Sequence, residues 1–370
     1  MRPLLFLVFA VQLACGAPPS PAVSAATPTP PATTEASAAA APAPLADPTG
    51  DCVIELWAGD SWVERGRATC GSAGQIGLVV AGDAGLEGPI LDSTVAAMKA
   101  RCATGPCDVG VLPGDLLYGD GLEAEVRWRA VWDAGFATLG IPFAAVLGNH
   151  EWRHEPNSKL KRKAVFASDQ RGGLLIPGPS YAARVRDPSG RTLLALAGLD
   201  TDSVSNPAKH MPGLGDHALA IACAEGAPVV WIGHHPASSQ GQHHGHEAHV
   251  EAALRKIITN ATSGGCRIAV ATAGHDHDLQ AYGPGCEAEG MPGVVVSGVA
   301  GRGFRPPGPP HLATCPANAQ AVSSYHAGPK TTGGFAWIGI DTTTGDTRVE
   351  LIEATTDGPA VLATVQWPLQ

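Results

Sequence analysis

The sequence predicts one α/β domain behind a long stretch that does not fold. Three observations carry this. From Gln75 onward, short apolar runs end in Gly-Asp, Gly-Asn or Gly-His turns and alternate with segments whose apolar residues recur at helical spacing. The last part of the chain, with GVVVSGVAG, GGFAWIGID and RVELIEA, has no such alternation and reads as antiparallel strands completing a second sheet. Residues 16 to about 48 are almost wholly Pro, Ala, Ser and Thr, a composition that cannot bury enough apolar surface to offset the entropy of ordering.

The opening MRPLLFLVFAVQLAC has one Arg, an apolar run too short to cross a bilayer, and a Cys after small residues, the pattern of an export signal. It resembles a bacterial lipoprotein signal, which would leave Cys15 as the lipidated first residue, although Gln12 stands where such signals carry an aliphatic residue. Two destinations stay open: the bacterial cell envelope as a lipoprotein, or a secreted or periplasmic protein after ordinary cleavage. Membrane contact is expected only through a lipid on Cys15. Four segments follow: the signal over 1–15, a disordered Pro/Ala-rich linker over 16–50, a short lead-in over 51–74, and the folded domain over 75–370. With Cys15 set aside, eight cysteines remain, and an even number in an exported chain points to disulfides. Proximity singles out Cys52–Cys70, closing a small hairpin, and Cys102–Cys107.

Within the domain, QIGLVVAGDAG is a strand ending at Asp83, and PILDSTVAAMKARC a helix with Leu91, Val95 and Met98 on one face. DVGVLP is the next strand. A helix from about Glu123 to Leu139 should turn Val126, Trp128, Val131 and Trp132 inward. IPFAAVLGNHE ends a third strand at Asn149 and His150. The basic segment from Trp152 to Arg171 reads as a solvated excursion. RTLLALAGLDT, APVVWIGHHP and CRIAVATAGHDHDLQ are further strands, with a helix around Glu247 to Ile258 before the last.

The stretch GDLLYGDG, Gly114 to Gly121, organises the rest. Its glycines force a turn at a strand's end, which sets Asp115 at the carboxyl edge of a sheet, where α/β proteins place ligands. An isolated Asp there would simply cap the next helix. Four other strand-end loops, however, carry Asp, Asn or His in the same setting. Asp83, Asp115, Asn149, His234, His275 and His277 together offer carboxylate, amide oxygen and imidazole, a donor set for borderline divalent or trivalent metals. Six or seven groups exceed what one ion takes and suggest two metals sharing a carboxylate. The net charge of −10 excludes a nucleic-acid backbone as main partner, and an anionic substrate would need a local positive centre.

The ordered set GD-x-G, GD, GNHE, GH and GHDH from Gly82 to His277 resembles the calcineurin-like metallophosphoesterases. Within them, Gly114-Asp115-Leu116-Leu117-Tyr118 is similar to the GDxxY motif, and Gly274 to Gln280 to the GHDHNLQ motif, of purple acid phosphatases of the small tartrate-resistant type. The resemblance implies an α/β sandwich of two mixed β-sheets flanked by helices. It implies Fe(III) held by Asp83, Tyr118 and His277, a divalent Fe, Zn or Mn held by Asn149, His234 and His275, and Asp115 bridging. It further implies hydrolysis of a small phosphomonoester by in-line attack of a metal-bound hydroxide. His150, adjacent to Asn149, projects differently and is left to act on substrate. His243 and His244 stand where plant-type members carry a His pair over the metals, and His235 reads as a packing residue. Two alternatives remain at this stage: a phosphodiesterase acting on nucleotides or lipid head groups, and a catalytically inactive surface-binding lipoprotein.

Overall fold

A computed structural model describes residues 50–70, 74–152, 157–205, 214–241, 243, 248–305, 315–317, 321–324 and 331–369. The signal and nearly all of the linker fall outside these residues. All the described residues belong to one compact unit.

The strands in chain order are β1 (Cys52–Ala58), β2 (Ser61–Ala68), β3 (Gln75–Val80), β4 (Val109–Pro113), β5 (Phe143–Val146), β6 (Leu174–Leu175), β7 (Tyr181–Arg186) and β8 (Thr192–Gly198). They continue with β9 (Val229–Ile232), β10 (Ile268–Ala273), β11 (Leu279–Tyr282), β12 (Gly293–Ser297), β13 (Ala321–Ser324), β14 (Gly333–Asp341), β15 (Thr347–Thr355) and β16 (Gly358–Trp367). Among the described residues they make two mixed sheets, ordered β16-β15-β14-β3-β4-β5-β6 and β13-β11-β12-β10-β9-β8-β7-β1-β2. In the first sheet β3 to β6 run parallel out to the edge, with antiparallel strands beyond β3 only; in the second, β8, β9, β10 and β12 form a parallel centre with antiparallel strands on both sides.

The parallel strands are buried along their length, as sheets covered on both faces require. One core lies between the sheets, with Leu78, Val80, Val111 and Val146 meeting Leu196, Val230, Ile232 and Val295. On the outer face of the first sheet, α1 (Pro89–Cys102) and α2 (Ala124–Val131) bury Met98 and Trp128 beside Trp132, Phe136 and Phe143. A third cluster joins Leu254 and Ile258, on the helix Ala248–Ser263, to Trp231 and Tyr282 on the second sheet. This is the expected sandwich of two mixed sheets flanked by helices.

Pro89 opens α1 where its missing N–H costs nothing, and Lys99 and Arg101 lie in the last turn, complementing the dipole. Four expectations need correction. The helix expected over 123–139 stops at Val131, and a separate 3-10 turn, Phe136–Leu139, follows Gly135. Val126 faces solvent at 72% exposure, because α2 is short and its inward face is set by Trp128 and Val131. The basic segment after Trp152 is not wholly solvated: Ser158–Phe166 is helical and its Lys161 is fully buried, donating to the His150 carbonyl at 3.2 Å. Finally, the last strands do not form one antiparallel set completing a second sheet: β12 pairs antiparallel with β11 but parallel with β10 in the second sheet, while β14 joins β3 in the first.

The eight cysteines among the described residues pair, as Cys52–Cys70, Cys102–Cys107, Cys223–Cys266 and Cys286–Cys315. The lead-in is the β1–β2 hairpin, and β1 continues the second sheet by pairing with β7. No described helix is long and apolar enough to cross a membrane.

Candidate metal centre

Every loop singled out in the sequence leaves the carboxyl end of a parallel strand: Asp83 after β3, Asp115 after β4, Asn149 after β5, His234 after β9, and His275 and His277 after β10. Because the parallel strands of the two sheets pack face to face, the five loops converge. The turns are sharp. Asp83, Asp115 and His275 have φ of 55°, 51° and 69°, a left-handed conformation that costs a non-glycine residue about 1–3 kcal/mol and clusters at functional sites. Glycine lets backbone press onto the carboxylates: a Cβ at Gly148 would overlap Asp115 Oδ1, and one at Gly274 would overlap Asp83 Oδ2.

Two groups of donor atoms result. In the first, Tyr118 Oη donates to Asp83 Oδ1 at 2.6 Å, and His277 Nε2 lies 3.2 Å from the same oxygen. In the second, His234 Nε2 is 2.9 Å and His275 Nδ1 3.2 Å from Asn149 Oδ1, with 3.2 Å between the two ring nitrogens. Asp115 lies between, its Oδ1 being 3.4 Å from His234 Nε2. Ligand atoms of Asp83, Asp115 and His234 all lie within 4.8 Å of one another and all three residues are buried.

The donor set fits metal ions. His234 Nδ1 sits 3.0 Å from the Pro113 carbonyl, which can only accept, so its proton stays there and Nε2 faces Asn149 and Asp115. Burial would lower the His234 pKa, but the charges of Asp115 and Asp83 raise it, so without an ion the ring holds a second proton on Nε2, which a cation bound there would displace. His277 Nδ1 is buried without a hydrogen-bond partner. Burial would raise the Asp83 pKa, but the hydrogen bond and charge of His277, the charge of His234 and the bond from Tyr118 outweigh it and hold Asp83 ionised. Burial lowers the pKa of His275 far below the ordinary value, helped by the charges of His234 and His243, so this ring is neutral and able to ligate. Burial, then the charges of Asp115 and Asp83, push the Tyr118 phenol well above its ordinary range. A highly charged cation bound to the phenolate oxygen would be needed to displace that proton to solvent.

His150 is half-buried at the rim. Its backbone N–H donates to Asp115 Oδ1 at 2.9 Å, and its ring lies 4.5 Å from the Tyr118 ring, centroid to centroid. The His243 ring lies 4.3 Å from that of His275. The structure thus brings Asp83, Asp115, Tyr118, Asn149, His150, His234, His243, His275 and His277 together, whereas His244 lies outside the described residues. His235 is buried and shares a 3.0 Å hydrogen bond with Thr201 Oγ1.

Several contributors escaped the sequence reading. Glu151 accepts from Leu117 N and Gly148 N, both at 2.8 Å, and so ties the Asp115 loop to the Asn149 loop. Thr201, after β8, accepts from the N–H groups of both His234 and His235. Asp276 and Gln280 anchor the His243 loop, and Arg302, after β12, packs on Tyr118. The available signal was position: Thr201 and Arg302 also follow parallel strands, but Thr and Arg there did not read as metal donors.

Residues 78–279 match the model of the calcineurin-like phosphoesterase family, more than half of the chain, and the protein belongs to that family. Membership implies a metal-dependent hydrolase of phosphate esters. Among solved structures, the chain is similar to GAP50, the anchor in the inner membrane complex of Plasmodium. The TM-score is 0.56 and identity 13%, over 80% of this chain and 89% of that one, a likeness of fold alone. It also aligns with a dimetal phosphatase from Danio rerio (TM-score 0.45, 14% identity, 80% and 99% covered) and with the calcineurin-like phosphoesterase YfkN from Bacillus subtilis (0.39, 13%, 80% and 90%). No curated protein sequence matches it.

Proposed function

We propose that this protein is an exported dinuclear-metal phosphatase of the purple acid type that hydrolyses small phosphomonoesters. The carrying observation is the pairing of Tyr118 Oη and His277 Nε2 on Asp83 Oδ1, opposite the Asn149, His234 and His275 trio, with Asp115 between them. A phenol among carboxylates suits a hard trivalent ion, whereas two imidazoles and an amide suit divalent Fe, Zn or Mn. Fe(III) beside such an ion would supply a water of lowered pKa, already deprotonated at acid pH, and Lewis-acid stabilisation of phosphoryl oxygens.

The chain's own groups do the rest. Asp115, between the two donor groups, would be the carboxylate the two ions share. His150, fixed by its N–H bond to Asp115, extends an imidazole from the rim to hydrogen-bond the phosphoryl oxygens as charge builds on them. His243, beside His275, donates a proton to the leaving alkoxide, with His244 as its partner in that role. The four disulfides and the N-terminal pattern support export to an oxidising compartment, with Cys15 lipidated or removed with the signal. The complete donor set supports an enzyme rather than a binding protein, since a disused site has no reason to keep every ligand type.

Comparing 4-nitrophenyl phosphate with bis(4-nitrophenyl) phosphate, before and after chelation, tests this reading. The monoester should be cleaved faster, best at acid pH, and chelation should abolish turnover. Faster cleavage of the diester, or hydrolysis indifferent to chelation, would contradict it.

A further inference from the structure

Arg302 belongs to the loop GRGFR that leaves the carboxyl end of β12. This loop is locked to the Asp83 turn: Ala300 N donates to Gly82 O at 3.2 Å and Gly301 N to Asp83 O at 3.1 Å. Its guanidinium carbon sits 4.5 Å from the centroid of the Tyr118 ring, whose hydroxyl bonds Asp83. Among the described residues no carboxylate pairs with Arg302, in contrast to Arg127 nearby, which is committed to Glu87 and to the Tyr118 carbonyl. Arg305 follows three residues on, its N–H held by the His277 carbonyl at 2.8 Å. A chain of net charge −10 thus sets a guanidinium that no carboxylate pairs against the wall of its metal centre.

Resting on the reading of the centre as a phosphatase site, we infer that Arg302 forms a subsite for a second anionic group. The preferred substrates are then phosphomonoesters whose leaving group carries a further negative charge, a carboxylate or another phosphate. The guanidinium stacks on the Tyr118 ring and pairs with neither Asp83 nor Asp115, so it is assigned to the body of the substrate rather than to the transferred phosphoryl group. A planar guanidinium stacked on an aromatic ring keeps its edge donors available for bidentate capture of an oxyanion.

The test is calorimetric binding of two non-hydrolysable ligands of one length, propylphosphonate and 3-phosphonopropionate, to the metal-loaded protein. Wild type should bind the carboxylate-bearing ligand more tightly by about fivefold, the scale of one half-exposed charge pair. In Arg302→Gln the two affinities should become equal through loss of 3-phosphonopropionate binding alone, and Arg302→Lys should keep part of the difference. Equal binding of both ligands by wild type would overturn the subsite while leaving the metal centre intact. So would a difference that survives in Arg302→Gln, or an equal loss of both ligands in that variant. Failure of wild type to bind either phosphonate would refute the phosphatase reading and the subsite with it.

Discussion

Asp115 shows how much a single side chain is asked to do. It adopts a left-handed turn, accepts from His150 N, and lies between the two donor groups. Its charge also reaches Glu151, whose pKa is pushed up to about 8 by burial and then by Asp115, against the pull of the Gly148 and Leu117 N–H groups. The sign of the linkage follows. A carboxyl raised from 4.5 to about 8 binds a proton in the folded state that the unfolded chain has released, so its contribution is full below pH 4.5 and is lost as pH rises toward 8. Chelated protein should therefore melt at lower temperature at pH 8 than at pH 5, and added metal, by cancelling the Asp115 charge, should reduce the difference. Glu151→Gln should flatten the pH dependence of the chelated protein, at a cost of about 1–3 kcal/mol from turning an amide against one backbone N–H. Thermal melts showing the same pH slope in both proteins would contradict this.

At the scale of elements, the site consists of loops held by groups that touch no substrate. The loop from Pro236 to His243 is fastened by one polar network. Asp276 accepts from His243 N at 2.8 Å and from Ser239 Oγ, and Ser239 Oγ in turn accepts from Gly241 N and from Gln280 Nε2. Gln280 Oε1 accepts from Gln240 N at 2.8 Å and from the Tyr282 hydroxyl. If this network works by placing His243, then Gln280→Ala should lower kcat about tenfold, and adding it to His243→Ala should cost almost nothing more. Independent, multiplying losses in the double variant would show that Gln280 acts elsewhere. The motif GHDHDLQ was legible as a unit, but only its imidazoles could be given work from sequence. The roles of Asp276 and Gln280 depend on Ser239 and Gln240, some forty residues away in the chain. Lys161 was misread for the same reason, since its charged type suggests solvent and only the packing of its helix shows it buried.

For the whole molecule, strands that end in metal-binding residue types were readable because each is a local pattern of apolar run, glycine turn and donor. Which strands pair was not readable. The parallel match of β10 with β12, and the antiparallel match of β14 with β3 across most of the chain, are non-local choices that no short stretch encodes. Thr201 and Arg302 were hidden likewise, because their partners come from other strands. The structure brings the donor residues together, and on them rests the central proposal: one hard site built on Tyr118 and one softer site built on two imidazoles. The absorption spectrum of the purified protein tests that claim most directly. Iron-containing protein should be purple from a tyrosinate-to-iron charge-transfer band, Tyr118→Phe should lose the colour while keeping metal, and Asp115→Ala should lose both ions. A colourless protein active with zinc or manganese alone, or a purple one whose band survives Tyr118→Phe, would contradict it.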